Sequence, residues 1–452
     1  MPAADLRHSR VAILGTGREG RAAWRHLRAV HPGIQLVLID ENPPDPGFLQ
    51  QLTPEDQVLT GPLDAAGLAG FDFLVRSPGI SPYRNCIREA LAEGVIVTSP
   101  SNLWFAAHAD QRTICVTGTK GKSTTSALLA HVLEATGSRV RLAGNIGRPL
   151  LDCDDNGVDW WVIELSSYQL ADLDARPDVA VLLNLTPEHL DWHGGEATYR
   201  RDKLRLARLA RGRPIVANAA DPVLREALDT VENVTWFNHP GGLHTADGRL
   251  LDGARVLDLQ APVGLPGAHN LSNVAAVLAV VRLIGGDVEA AIRAIAGFRA
   301  LPHRLQLCGV RSGIGYVNDS ISSTPVATAA ALESFAGQRV TLIVGGLDRG
   351  IDWKPYIRTF AQRTPWAVIG IPGSGAKIVA TLRSGGIRPA RGLHEAPDLA
   401  AAVELARRIT PAGAIVLLSP GAPSFPQFRD YRDRGRQFAR CCGFELEEVE
   451  PF

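Results

Sequence analysis

Cysteine is scarce and scattered. The six residues, Cys86, Cys115, Cys153, Cys308, Cys441 and Cys442, show no metal-ligand spacing, and the adjacent pair Cys441-Cys442 suits neither a disulfide nor a zinc site. That pattern is the one expected of reduced thiols in a cytoplasmic protein. An excess of charge of either sign is also missing: 47 basic side chains balance 47 acidic ones over 452 residues. The balance gives no sign of a nucleic-acid groove or a membrane-binding surface. No run reaches the roughly 18 apolar residues that a bilayer span needs. Met1-Pro2-Ala3-Ala4-Asp5-Leu6-Arg7 lacks the apolar centre of a signal peptide. Solenoid repeats and low-complexity tracts are absent. What remains is an ordinary globular composition, 45% hydrophobic and 21% charged, on a chain long enough for about two to four domains.

The most informative stretch is Thr117-Gly118-Thr119-Lys120-Gly121-Lys122-Ser123-Thr124. It follows a short apolar strand, Thr113-Ile114-Cys115-Val116, and opens a helix that runs through Leu133. Strand, glycine-rich turn and helix start make a cradle for nucleotide phosphates. Backbone N–H groups point inward, the helix dipole favours an anion, and Lys122 adds a mobile positive charge. Ser123 or Thr124 can hold a magnesium ion, so ATP or a relative is the expected ligand. One detail departs from the general phosphate loop, which wants glycine at position 117: Thr117 stands there and Gly118 comes one step late. The bland alternative is an ordinary turn before a capped helix.

Strand and helix patterns alternate along the whole chain, which predicts an α/β protein with parallel sheets and helices on their faces. Three blocks emerge, set at 1–103, 104–302 and 303–452. In the first, Val11-Ala12-Ile13-Leu14 leads into Gly15-Thr16-Gly17-Arg18-Glu19-Gly20, a helix follows through Val30, and Leu36-Val37-Leu38-Ile39 ends in Asp40-Glu41. This is the outline of a Rossmann-like dinucleotide site. It calls for a phosphate-bearing ligand at the helix start without making that ligand NAD. Phe73-Leu74-Val75-Arg76 is a later strand, followed by Ser77-Pro78-Gly79-Ile80. The second block holds the phosphate loop and strands at 160–164, 179–184 and 214–218. The third has strands at 340–344, 366–370 and 414–418.

Polar residues just past strand ends lie where open α/β sheets bind ligands. Glu164 closes an apolar strand; opposite Ser123 its carboxylate would suit magnesium, and otherwise it is a solvated strand-end acid. His189 lies beside Glu188 and Asp191, a setting for a metal or water-positioning role. Tyr199-Arg200-Arg201-Asp202-Lys203-Leu204-Arg205 looks like an exposed charged helix, and its pattern alone leaves Lys203 in solvent. Asn270 and Asn273 share one face of a helix start and could read an adenine or a ribose, or simply cap the helix. Arg304, in Leu301-Pro302-His303-Arg304, could reach a phosphate on domain closure.

These pieces, in this order, resemble the Mur ligase family of ATP-dependent enzymes that build the cell-wall peptide stem. The likeness rests on Gly118 through Thr124, Asn145-Ile146-Gly147, Glu164-Leu165-Ser166-Ser167-Tyr168-Gln169, His189, Lys203, His269-Asn270-Leu271-Ser272-Asn273 and His303-Arg304, and it spans nearly the whole chain. Gly15-Thr16-Gly17, Arg76 through Ile80, Asn318-Asp319-Ser320, Gly345-Gly346-Leu347-Asp348-Arg349 and the ending from Ser419 to Ala439 are most similar to the glutamate-adding branch. The resemblance implies three domains: a Rossmann-like N-terminal domain, a P-loop ATPase-like central one and a Rossmann-like C-terminal one. The implied reaction is attack of the carboxylate of UDP-N-acetylmuramoyl-L-alanine on ATP, giving an acyl phosphate that glutamate's amine then captures. Lys122, His189 and Lys203 would be catalytic. Ser123, Glu164, His189 and a carbamylated Lys203 would hold two magnesium ions. Besides the loop residues Gly118, Thr119, Lys120, Gly121, Lys122, Ser123 and Thr124, ATP would touch Asn270, Asn273, Arg304 and Asp319. The UDP-sugar would meet Gly15, Thr16, Gly17, Asp40, Ser77, Asn145, Ser166 and Gln169. Glutamate would meet Ser323, Arg349, Ser424, Phe425 and Tyr431. A monomer is expected, with no nucleic acid or membrane as partner.

The chain departs from the family pattern around the amino-acid pocket. Where glutamate-adding enzymes of the D-specific type read Asn-Asp-Ser-Lys-Ala-Thr-Asn, it has Asn318-Asp319-Ser320-Ile321-Ser322-Ser323-Thr324. Gly421-Ala422-Pro423-Ser424-Phe425 stands where Ala-Cys-Ala-Ser is typical, and Tyr431 replaces a phenylalanine. An altered pocket on an unaltered ATP apparatus points to an altered amino acid, L-glutamate, with the D-glutamate enzyme as the alternative. A Rossmann dehydrogenase would leave the phosphate loop unexplained. A non-catalytic nucleotide-binding protein would leave Glu164, His189 and Lys203 unexplained. A folylpolyglutamate synthase relative would not need the glycine-rich first block.

Overall fold

The computed structural model describes residues 9–154, 156–259, 268–299 and 301–446. Met1 through Arg7, Gly267 and the side chains of Ala268 and His269 lie outside the described residues. The chain divides into two compact units. The first is built from residues up to Asp258 together with Ser272–Ala294, the second mainly from Ile295 onward.

The first unit carries two parallel sheets. One joins β1 (Val11–Leu14), β2 (Leu36–Asp40), β3 (Asp56–Thr60), β4 (Phe73–Arg76) and β5 (Ile96–Thr98) in the order β3-β2-β1-β4-β5. All four residues of β1 are buried, as its unbroken apolar run requires of a central parallel strand. Strand order reverses at β1, and a crevice opens there at the strand ends. Helix α1 (Arg18–Val30) starts in it with Gly17 as N-cap. A Cβ on Gly20 would lie 1.8 Å from the Gly15 carbonyl oxygen, so only glycine lets helix and turn approach this closely.

The other sheet joins β6 (Thr113–Thr117), β7 (Val140–Gly144), β8 (Trp160–Glu164), β9 (Val179–Leu182), β10 (Ile215–Asn218) and β11 (Val234–Phe237) in the order β11-β10-β9-β6-β8-β7. Strand β6 lies between β8 and β9, so this sheet also reverses at the strand that feeds a glycine-rich loop. Trp104, Trp161, Ile163, Ala180 and Leu182 pack in its core. Around its strand ends run α2 (Lys122–Ala135), α3 (Ser167–Leu170), α4 (Leu190–His193) and α5 (Glu196–Leu209), with α6 (Ala268–Leu283) further along. A small antiparallel sheet follows: β12 (Leu243–Ala246), β13 (Arg249–Asp252) and β14 (Arg255–Val256). The two parallel sheets are fastened together. Fully buried Arg76 meets Asp172 at 2.6 Å, Ser81 Oγ donates to the Trp192 carbonyl at 2.8 Å, and Trp192 Nε1 donates to the Gly79 carbonyl at 3.0 Å.

The second unit is one six-stranded sheet, β15 (Gln306–Arg311), β16 (Ile314–Asn318), β17 (Val340–Val344), β18 (Ala367–Gly370), β19 (Leu393–Glu395) and β20 (Ile415–Leu418), ordered β15-β16-β20-β17-β18-β19. Alternation along β17 sends Leu342 and Val344 into one core and Ile343 into the other. Helices α7 (Gly375–Ser384) and α8 (Tyr431–Cys442) flank it. The parallel α/β reading holds, and the strands named from sequence appear within a residue or two. Strands β12 to β14 and the antiparallel edge strand β15 depart from it. Among the described residues no helix is long and apolar enough to cross a membrane.

Candidate active site

The loop after β6 is held in shape before any ligand arrives. Gly121 caps α2 at φ +84, a left-handed conformation that glycine adopts without strain. The Lys120 backbone N–H donates to Asn184 Oδ1 at 2.7 Å, and Asn184 Nδ2 donates back to the Lys120 carbonyl at 2.9 Å. Thr119 Oγ1 sits 2.6 Å from the Tyr199 hydroxyl and accepts from the Thr186 N–H at 3.0 Å. No side chain caps α2, which leaves its first-turn amides to an anion. Lys122 Nζ rests on the Thr119 carbonyl at 2.9 Å, folded onto its own loop. Ser123 is buried behind it, and Thr124 is half-buried. Lys120 Nζ pairs with Glu188 at 2.7 Å. Asn273 lies against the same loop: a Cβ on Gly121 would come 2.6 Å from its Oδ1.

Glu164 ends β8 and stands in register with Val116 of β6, one strand from the loop. It is 1% exposed. Asn145 Nδ2 donates to its Oε1 at 2.6 Å, while Oε2 is buried with no partner. A buried carboxylate oxygen without a donor is costly unless a cation meets it. An oxygen-seeking divalent ion such as magnesium fits that vacancy in its bonding. Among the described residues no three His, Cys, Asp or Glu side chains converge on one point.

Lys203 corrects the expectation of a solvated helix face. Tyr199, Asp202, Lys203 and Leu206 are all buried on one side of α5, at helical spacing. Lys203 Nζ donates to the Gly118 carbonyl at 2.7 Å and to Thr117 Oγ1 at 3.2 Å. Burial, and then the charge of Lys122, holds its pKa well below the usual lysine range. His189 is half-exposed at φ +56, caps α4, and lies 3.9 Å from Glu188 Oε2. Its pKa is lowered by burial, with Glu188 opposing.

In the first sheet's crevice, Asp40 Oδ2 accepts from the Thr16 N–H at 2.7 Å and from Thr16 Oγ1 at 2.8 Å, and Ser77 Oγ donates to the Gly15 carbonyl at 3.2 Å. Ser166 and Gln169 engage each other. Ser166 Oγ accepts from the Gln169 N–H at 3.2 Å and Gln169 Oε1 accepts from the Ser166 N–H at 3.0 Å, a reciprocal cap on α3.

In the second unit, Asp319 is buried and accepts from the Ser322 hydroxyl, from Ser419 Oγ at 2.8 Å and from the Leu305 N–H at 3.2 Å. Arg304 is half-buried; Ser323, Arg349 and Phe425 are exposed; Ser424 is buried. Tyr431 stands edge-on to His303 with ring centres 5.7 Å apart.

Residues 9–99 match the MurD-like N-terminal domain of Mur ligases, and residues 116–281 match the Mur ligase middle domain. A UDP-N-acetylmuramoyl-L-alanine–L-glutamate ligase from Xanthomonas oryzae is 47% identical over 446 residues, covering 96% of this chain and 95% of its own.

The chain belongs to the Mur ligase family.

A ligase of the same name from Xylella fastidiosa is 45% identical, covering 98% of this chain and 97% of its own. Among solved structures, the UDP-N-acetylmuramate-alanine ligase of Thermotoga maritima is similar in fold, with a TM-score of 0.60 at 19% identity over 96% of this chain and 99% of that one.

This Mur ligase contains two buried networks that sequence reasoning missed. His193 Nδ1 lies 2.8 Å from Asp202 Oδ2 and its Nε2 lies 3.0 Å from Ser167 Oγ; Asp202 also accepts from the Tyr83 hydroxyl at 2.7 Å. Ser167 is buried at a helix start, so the serine is a strap rather than an accessible nucleophile. In the second unit Arg434, 1% exposed, donates to the Ser320 carbonyl at 2.7 Å, Ser320 Oγ at 3.0 Å and the Ala422 carbonyl at 3.0 Å. It ties the loops after β16 and β20 together. Burial lowers its pKa to about 10. No local sequence signal marks either network, because each joins residues far apart in the chain.

Proposed function

We propose that this Mur ligase joins glutamate, L-glutamate in preference to D-glutamate, to UDP-N-acetylmuramoyl-L-alanine with hydrolysis of ATP to ADP and phosphate. The observation that carries the reading is the juxtaposition of a preshaped phosphate loop, a buried carboxylate with an unmet oxygen at Glu164, and a desolvated amine at Lys203. The substrate carboxylate attacks the γ-phosphorus, ADP leaves, and an acyl phosphate forms. The amine of glutamate adds to the acyl carbon and phosphate departs from the tetrahedral intermediate. Two anions must meet in the first step, so alignment and charge neutralisation dominate the barrier. Lys122 leaves the Thr119 carbonyl and turns to the β- and γ-phosphates, while the uncapped amides of α2 hold the phosphate chain. Asn145 orients the Glu164 carboxylate.

Ser123, Glu164, His189 and carbamylated Lys203 would hold magnesium, which when bound supplies positive charge between the two anions. Carbamylation suits Lys203 because a low pKa leaves a neutral amine free to attack carbon dioxide. The N–C bond forms, one proton leaves, and the remaining N–H can still donate to the Gly118 carbonyl. The preference for L-glutamate is supported by the names of the two relatives and by the departures at Ile321, Ser323, Gly421 and Tyr431.

The test is phosphate release with UDP-N-acetylmuramoyl-L-alanine and either enantiomer of glutamate. L-glutamate is expected to give the higher kcat/KM; a preference for D-glutamate would overturn the stereochemical assignment. Lys122→Ala should abolish release. Lys203→Ala should lose most activity and regain part of it in high concentrations of short carboxylic acids, which can take the place of the carbamate. Unimpaired turnover by either variant contradicts its role.

A further inference from the structure

Helix α1 carries two arginines, about two turns apart, that both reach the segment after β7. They are held in different ways. Arg25 closes a bidentate pair with Asp152, at 2.9 and 2.6 Å. Arg18, the first residue of the helix, meets carbonyls instead. Its Nη1 donates to the Gly147 carbonyl at 3.0 Å and its Nη2 to the Asn145 carbonyl at 3.5 Å. The helix dipole disfavours a cation at this end, where an anion belongs. Glu19, the next residue, offsets the charge only in part, since burial raises its pKa to about 7. The guanidinium fork still has donors to spare.

What Arg18 grips is the support of Glu164. Residues 144–148 form a tight turn, closed by the Gly144 N–H on the Arg148 carbonyl at 3.2 Å. The turn lies hard against the end of β8: the Asn145 N–H donates to the Glu164 carbonyl at 2.9 Å, and a Cβ on Gly144 would come 2.4 Å from that oxygen. The Asn145 side chain then holds Glu164 Oε1 at 2.6 Å and leaves Oε2 as the buried atom that calls for a cation. Asn145 thus receives Arg18 on its carbonyl and gives its amide to the carboxylate. Magnesium demands oxygen ligands at about 2.0–2.1 Å in near-ideal geometry. A displacement of the turn by a few tenths of an ångström is therefore felt at Oε2.

We propose that Arg18 is a positioning residue that couples the nucleotide end of the muramoyl substrate to the metal carboxylate. The diphosphate, seated at the start of α1, takes the donors that Arg18 has free and fixes the guanidinium. The guanidinium fixes the 145–147 turn, and the turn sets Glu164. The metal is gripped best once the substrate is in place, which keeps ATP from losing its phosphoryl group to water. The inference rests on the ligase reading.

The test uses the full-length enzyme saturated with ADP, manganese as the metal, and UDP-N-acetylmuramoyl-L-alaninamide as the probe. The amide caps the reacting acid, so the probe brings no carboxylate to the metal and cannot be phosphorylated. Electron paramagnetic resonance reads manganese binding without turnover. In the unaltered enzyme the probe should tighten manganese about tenfold, and manganese should tighten the probe by the same factor. Arg18→Met should bring that factor close to one. Arg18→Lys should do the same while keeping more affinity for the probe, because an ammonium retains the charge but not the fork that spans carbonyl and phosphate. Arg25→Met cuts the other tie between α1 and this segment and should leave the factor near tenfold. Both arginines are exposed, so folding should be unaffected. In turnover, Arg18→Met should raise the magnesium concentration for half-maximal rate about tenfold and hold kcat at saturating metal within about threefold. If the unaltered enzyme does not bind the probe, the ligase reading itself fails. A bound probe that leaves manganese affinity unchanged would overturn the proposal, as would a full tenfold factor in Arg18→Met. Equal losses in Arg18→Met and Arg25→Met would also overturn it, by showing that Arg18 merely docks the helix.

Discussion

His303 and Asp319 flank one asparagine, and burial moves them in opposite directions. Asn318 Nδ2 lies 2.9 Å from His303 Nδ1. Burial, then the charges of Arg436 and Arg432, lowers His303 from 6.5 to about 4. Burial raises Asp319 from 3.8 to about 6, against the opposing hydrogen bonds of Ser322 and Ser419. From pH 6.5 down to about 4 the unfolded chain binds a proton at His303 that the native state refuses, so this group removes stability as pH falls. From pH 6 down to about 4 the native state keeps a proton on Asp319 that the unfolded chain has released, so this group adds stability as pH falls. Each shift corresponds to about 3 kcal/mol, and the two nearly cancel. His303→Asn should therefore make the second unit gain stability on acidification from pH 6 to 4, and Asp319→Asn should make it lose stability over the same range. Urea unfolding at three pH values reads both slopes. Slopes of the same sign in the two variants would contradict the assignment.

Helices α3, α4 and α5 are too short or too polar to hold one another by apolar contact alone, and the chain Ser167–His193–Asp202–Tyr83 does part of that work. His193→Ala removes two hydrogen bonds and leaves Asp202 buried with only Tyr83 and Arg201 nearby. A loss of about 2–4 kcal/mol is expected in chemical denaturation of the first unit. A loss below about 1 kcal/mol would show that the chain is incidental. The parallel strands and the two glycine-rich turns were legible in the sequence because their signals are local: unbroken apolar runs, then glycine. The edge strand β15 was not, since Leu307 and Val310 lie exposed on it and break the pattern of a buried strand. Burial of Lys203 was invisible to periodicity, which sees only charge on α5; the resemblance to a family carried it. The spacing Ser166-x-x-Gln169 is the signature of a capping box, and reading it only as a ligand contact passed over a local rule.

On the scale of the whole molecule, the two parallel sheets of the first unit share buried polar contacts that neither satisfies alone. Arg76 is fully buried, and Asp172, its carboxylate partner, comes from the other sheet's side. An ion pair in such a place adds little net stability, yet removing one partner strands a charge. Tyr83, Ser81 and Trp192 repeat the arrangement with neutral groups. These contacts should make the first unit unfold as one cooperative block, although it holds more than one sheet. Calorimetry should show two transitions, one for each compact unit. Asp172→Ala should move one of them down by several degrees, since a stranded guanidinium costs about 3–5 kcal/mol, and leave the other in place. Saturating L-glutamate should raise only the transition that Asp172→Ala leaves alone, because the residues expected to meet it, Ser323, Arg349, Ser424, Phe425 and Tyr431, all belong to the second unit and binding adds stability by mass action, about 2.7 kcal/mol at a hundred times Kd. Three transitions in the unaltered protein would mean that the sheets of the first unit part independently and that the Arg76 pair does not couple them.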